Sequence, residues 1–140
     1  MRLSMSTDLA IRIMHYLHTN KGLSSGTEIS VAVGTTYPLF QRVVTQLKRH
    51  GLVIPEQGRN GGYRLGKPAE SITVYDIYCI FEGKMAIADC LSENKKYNPY
   101  APGFCAIQDH FRSLQQSLIE QMSYKTIADL AASAPQLKGA

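Results

Sequence analysis

The stretch Thr36-Tyr-Pro-Leu-Phe-Gln-Arg-Val-Val-Thr-Gln-Leu-Lys-Arg-His-Gly-Leu-Val53, followed by Gln57-Gly-Arg-Asn-Gly-Gly-Tyr-Arg-Leu65, decides how the chain is read. It predicts one helix, a strand, a glycine-tipped turn and a returning strand. Thr36 is placed to cap the helix with its hydroxyl, and Pro38 falls in the first turn, where a missing amide hydrogen is harmless. Leu39, Val43 and Leu47 recur at helical spacing with Phe40 and Val44 beside them, which makes a buried stripe. Gln41, Arg42, Thr45, Lys48 and Arg49 fall on the other side. Gly51 ends the helix where a left-handed residue is wanted, and Leu52 folds back on the last turn. From Leu52 to Ile54 the residues favour strand, and Tyr63 and Leu65 alternate with Arg64. Between them, Gly58-Arg-Asn-Gly-Gly62 predicts a turn of positive backbone angles.

Charge singles out the same stretch. Thr36 to Lys67 carries six basic residues (Arg42, Lys48, Arg49, Arg59, Arg64, Lys67) against Glu56 alone, a net +5 where the whole 140-residue chain has +4. A basic helix followed by a basic hairpin tip has the shape and charge of a DNA-reading head. Glycines let the tip approach a phosphate backbone closely, and a lone arginine can enter a narrow minor groove. The plainer alternative is a winged module that docks a protein and has no specific DNA site.

Working outward, Ser6 is the expected cap of a first helix, with Asp8 in its first turn and Leu9, Ile13, Tyr16 and Leu17 as its apolar stripe. Asn20-Lys-Gly22 closes it. Ser25-Gly-Thr-Glu28 reads as a capping box for a short second helix through Val33, ending at Gly34. Two short helices joined by a tight glycine-containing link are a helix-turn-helix signature. Beyond the wing, Thr73 and Asp76 open another helix that Gly83 stops. Cys79, among Ile77, Ile80 and Phe81, reads as a small core residue. Leu91 to Pro102 is a polar surface loop.

The longest helix is expected over 106–122. Its Ile107, Phe111, Leu114, Leu118 and Met122 form an a/d-type stripe, widened by Ile119. Such a stripe invites a helix from a second subunit, the alternative being packing on the first helix. Thr126 to Ala132 makes a final short helix before a tail expected to fray. The expected fold is mainly α with a small β-hairpin wing. A winged helix-turn-helix head occupies residues 1–83, and a loop, a dimerisation helix and a short terminal helix occupy 84–140.

Composition bounds the rest. A hydrophobic content of 44% is sufficient for one core, and a pI near 9.0 suits a polyanionic partner. Three cysteines without a secretion signal, and no apolar run long enough for a membrane span, point to a cytoplasmic protein without a disulfide framework. No nucleophile–base pair, metal-ligand spacing or phosphate loop appears, so no enzyme activity is expected. His15, His18, His50 and His110 are scattered, and the His15/His18 pair reads as a solvated helix face.

Gly58-Arg-Asn-Gly-Gly-Tyr-Arg-Leu-Gly-Lys-Pro-Ala-Glu-Ser-Ile-Thr-Val-Tyr-Asp-Ile77 joins a glycine-rich wing to an Ile-Thr-Val-x-Asp-Ile helix opening, and Met1-Arg-Leu-Ser4 precedes Asp8. In these motifs, and from Met1 to about Leu130, the chain resembles the bacterial Rrf-two (Rrf2) family of winged helix-turn-helix transcription regulators. The resemblance implies a homodimeric repressor crossed through its long helices, whose two heads read a palindromic operator in double-stranded DNA. It places Thr36, Tyr37, Pro38, Gln41 and Arg42 on the reading end of the recognition helix. Arg59, Asn60, Gly61 and Gly62 fall on a wing tip at the minor groove. Gln41 stands where the family's iron–sulfur regulator carries an acid, and a glutamine can pair with adenine bidentately. Lys48 and Arg49 are expected to meet phosphate or solvent.

Several relatives hold an iron–sulfur cluster through three closely spaced cysteines, in some cases with a ligand from the first helix at a position like that of Asp8. Here only Cys90 and Cys105 lie in that region, and Cys79 is no substitute. Asn98-Pro-Tyr-Ala-Pro-Gly-Phe-Cys105 resembles smaller members that lack the cluster. The reading without a cofactor stands first. Beside it stand a cluster completed by Asp8, His110 or a second subunit, thiol sensing at Cys90 or Cys105, and a small effector bound near Tyr97 and Tyr100.

Overall fold

The computed structural model describes residues 2–93 and 100–133. Its helices are α1 (Met5–Thr19), α2 (Gly26–Val33), α3 (Tyr37–Arg49), α4 (Val74–Glu82), α5 (Phe104–Tyr124) and α6 (Ile127–Ala132), with strands β1 (Val53–Glu56) and β2 (Gly62–Leu65) between α3 and α4. The fold is the winged, mainly helical one expected. Tyr97 and the middle of the polar loop, residues 94–99, lie outside the described residues.

Helix α1 is the axis of the core. Ala10, Ile13, Met14 and Leu17 are buried along it, and α2, α3, α4, α6 and β2 all pack against it. The α3 stripe delivers Phe40, Val43, Val44 and Leu47 to the same cluster, which Ile29, Leu52, Val53, Ile72, Ile77 and Ile127 complete. Each such side chain contributes about 1.5–3 kcal/mol by leaving water.

Helix α3 ends as expected. Gly51 takes φ +71°, and the Leu52 N–H returns to the Leu47 carbonyl at 3.0 Å. The start of α1 differs from expectation. Ser4, not Ser6, is the cap; its hydroxyl accepts the Thr7 N–H at 3.1 Å. Ser4 is held extended because its own N–H donates to Glu82 Oε1 at 2.8 Å, a tie from the end of α4. Full capping boxes close around Thr73 and Asp76 and around Thr126 and Asp129, whereas α2 shows the Ser25 half. Cys79 is exposed, not a core residue: Ile77 takes the inward position, and two residues further the helix has turned away.

The wing is antiparallel, with Val53 opposite Leu65 and Pro55 opposite Tyr63. Its other edge is also paired. The Tyr63 N–H donates to the Ser24 carbonyl at 2.8 Å, and the Ser24 N–H to the Tyr63 carbonyl at 3.2 Å. Tyr63 therefore turns its backbone groups away from Pro55, which has no N–H to offer, and a proline fits the outer strand. Positive angles explain only Gly58 of the tip, at φ +113°. Gly61 and Gly62 answer to space: an added Cβ would fall on the carbonyl oxygen of Glu56 in the first case and of Ser24 in the second.

The terminal helix α6 returns to the head. The Val74 N–H donates to the Lys125 carbonyl at 3.0 Å, the Ile127 N–H to the Ile72 carbonyl at 2.9 Å, and Ile127 is fully buried. Helix α5 lies against α4 and the turn at Asp89–Leu91, and none of its residues is buried.

Candidate nucleic-acid interface

The expected reading end of α3 faces solvent. Thr36, Tyr37, Pro38 and Arg42 are exposed and Gln41 is half-buried. The Thr36 hydroxyl takes the Leu39 N–H at 3.4 Å as helix cap, so it is already engaged. Gln41 Nε2 donates to the Tyr37 hydroxyl at 2.6 Å, which ties two of the expected reading side chains together.

The cations behave unequally. Arg64 Nε donates to Glu56 Oε1 at 2.8 Å across the wing, so the stretch's one acid is spent on a cation that points sideways. Such a half-exposed pair is worth at most about 1 kcal/mol. Arg42, Lys48, Arg49, Arg59 and Lys67 are exposed and have no ion partner among the described residues. Arg42, Lys48 and Arg49 lie on α3, Arg59 lies at the wing tip beside exposed Asn60, and Lys67 lies just beyond β2. Lys48 and Arg49 in the last turn of α3 also suit its negative dipole end.

Sequence reasoning missed what fixes the wing relative to α3. The Tyr37 and Phe40 rings lie 6.0 Å apart, and Phe40 meets Tyr63 of β2 edge-on at 5.6 Å. Gly26 makes the room: a Cβ there would meet Phe40 Cε1 and Tyr37 Cε2, both at 3.0 Å. The signal was present as a glycine at the first position of α2, a place that prefers better helix formers.

The residues named for sensing are not brought into one site. Asp8 Oδ2 accepts from Arg12 Nε at 3.0 Å on the exposed face of α1. The Cys90 carbonyl accepts from Gln108 Nε2 at 2.9 Å, and Cys105 is exposed in the first turn of α5. A side-chain hydrogen bond with Cys79, ahead of burial, raises the Tyr75 pKa above its ordinary value. Among the described residues no three His, Cys, Asp or Glu side chains gather as a metal site would require. Among the described residues Asp8, Cys90, Cys105 and His110 do not gather in threes, and Asp8 is already paired with Arg12, so one chain does not present a four-ligand cluster site. No described helix is long and apolar enough to cross a membrane.

A basic recognition helix with a glycine-tipped hairpin buttressed against it defines a winged helix-turn-helix protein. Residues 3–133 match the Rrf2 family, described as "Iron-dependent Transcriptional regulator". The chain is 33% identical over 138 residues to protein aau3 of Rhizobium meliloti, covering 98% of this chain and 89% of that one. Its fold is similar to CymR (YrzC), the global cysteine regulator of B. subtilis, with a TM-score of 0.81 at 23% identity over 96% of this chain and 99% of that one. It is also similar to T. potens IscR, with a TM-score of 0.77 at 22% identity, covering 100% and 93% respectively. The chain belongs to the Rrf2 family of transcriptional regulators.

Proposed function

We propose that this chain is a homodimeric repressor that reads a palindromic operator in double-stranded DNA. Helix α3 enters the major groove through Thr36, Tyr37, Pro38, Gln41 and Arg42, and Arg59, Asn60, Gly61 and Gly62 lie against the minor groove. The observation that carries this reading is the set of exposed cations from Arg42 to Arg59, whose one neighbouring acid, Glu56, is engaged by Arg64. Dimerisation is supported by α5, where Ile107 is 54% and Leu114 45% exposed, and Phe111, Leu118 and Met122 are half-buried. A helix of 21 residues that buries no side chain in its own chain has its packing face left over.

The test is salt dependence on a duplex enriched by the protein from a random library. Binding should weaken steeply with salt, and Arg42→Ala with Arg59→Ala should each lower the slope by about one. Unchanged affinity and slope in the double variant sink this assignment of the head. A protein-docking module would enrich no duplex at all.

A further inference from the structure

We propose that Tyr37 is a positioning residue that sets the base preference of Gln41, so that one base pair of the site is read by a two-residue unit. The inference rests on the DNA-reading role proposed above. Gln41 follows Tyr37 by one helical turn, and its Nε2 donates to the tyrosine hydroxyl at 2.6 Å. The half-exposed ring that carries this hydroxyl is seated on one side. The Tyr37 ring lies over Gly26, where even a methyl group would meet Cε2 at 3.0 Å, and it tilts at 34° against Phe40. Phe40 is fully buried and meets Tyr63 edge-on. Position therefore passes from the core to Phe40, from Phe40 and Gly26 to the Tyr37 ring, and from its hydroxyl to the Gln41 amide.

The chemistry of the amide gives this arrangement a consequence. A glutamine offers two N–H donors and one carbonyl acceptor. One N–H is spent on Tyr37, which leaves one donor and one acceptor of the amide for a base edge. That pair complements adenine, whose major-groove edge presents the N7 acceptor and the N6 amino donor. Without the hydroxyl the amide turns freely, presents two donors as readily as a donor and an acceptor, and discriminates less. It must also be ordered at binding, at a cost in conformational entropy. Gly26 belongs to the same device, because an added Cβ at 3.0 Å would push the ring from its seat.

The experiment uses the full chain and a random duplex library. The duplex enriched by wild type is resynthesised with single base-pair changes, and anisotropy titrations are run on wild type, Tyr37→Phe, Gln41→Ala and the double variant. Tyr37→Phe keeps the ring over Gly26, so its melting temperature should match wild type. It should lose about 5–10-fold of the preference for adenine at one position per half-site, with the ranking at other positions intact. In the Gln41→Ala background, Tyr37→Phe should alter base preference no further, because it keeps the ring, which is the part of Tyr37 that meets the groove. A uniform loss across all duplexes, or effects of the two substitutions that multiply independently, overturns the proposal, because the hydroxyl then acts on DNA by itself. If wild type enriches no duplex, the DNA-reading role fails, a different result from an intact motif that ignores Tyr37.

Discussion

Gly62→Ala should detach the wing from the head. The added Cβ would fall on the Ser24 carbonyl oxygen and also crowd the Ser24 carbonyl carbon and the Ser25 nitrogen, all of them backbone atoms. No side-chain rotation relieves such a contact, so β2 must move away from Ser24. The two backbone bonds between Ser24 and Tyr63 are then lost, at about 0.5–1.5 kcal/mol each. Displacement of a packed element adds about 1–3 kcal/mol. The sum is roughly 2–6 kcal/mol, a fall in melting temperature of about 6–20 °C for a chain of this size. Circular dichroism melts at one fixed protein concentration measure it, since association also shifts the midpoint. Arg64→Ala in the same strand is the control: it removes only a half-exposed ion pair and should cost at most about 1 kcal/mol. A Gly62→Ala variant that melts within a degree or two of wild type would refute the claim that β2 is held by its approach to Ser24.

Three further outcomes are expected. Ile127→Ala, at a fully buried position where α6 meets the head, should cost about 2–5 kcal/mol in urea titration, like any large-to-small core substitution. Leu114→Glu, on the exposed stripe of α5, should halve the mass seen by sedimentation while leaving the helical signal intact. The Asp129 carboxylate is held below its ordinary pKa, first by the Thr126 backbone N–H and then by the Thr126 hydroxyl. Its contribution is therefore present above the ordinary carboxylate pKa and disappears as pH falls through the lowered value, so Asp129→Asn should flatten the acid limb of the stability profile.

What was legible in the sequence was what is decided locally. The α3 stripe, the Thr36 and Thr73 caps and the Gly51 stop each depend on residues within a turn or two, and all appear as read. The cap of α1 was not decided locally. Ser4 and Ser6 are both residues that cap helices well, and the choice falls to Glu82, far along the chain, which takes the Ser4 N–H. Cys79 failed for a similar reason. Ile77, Ile80 and Phe81 cover so much of the α4 circumference that only the position of α1 decides which side is inside. In the wing the glycines were recognised, but for angles where two of the three answer to neighbouring carbonyls. Those neighbours, Ser24 among them, are set by tertiary approach. The same holds for Gly26, whose purpose appears only once Tyr37 stands over it.

Helix α5 is the converse case, a pattern plain in the sequence whose meaning the single chain does not exhaust. Hydrogen bonds hold it at points along its length: Gln115 Oε1 accepts the Ile87 N–H at 3.0 Å, and Gln108 Nε2 donates to the Cys90 carbonyl. At its end the Lys125 carbonyl takes the Val74 N–H, directly before α6 enters the core. These bonds fix where the helix lies, yet each nets only about 1 kcal/mol, and none buries apolar area. The stripe from Ile107 to Met122 remains only partly covered, with Ile107 and Leu114 exposed. Helices in proteins owe most of their stability to an apolar face packed against something. The head shows what that packing looks like when it is satisfied, with Ala10, Ile13, Met14 and Leu17 all buried on α1. Measured against α1, α5 is anchored but only partly packed, and in the proposed homodimer a second copy of the same stripe would supply a matching apolar surface.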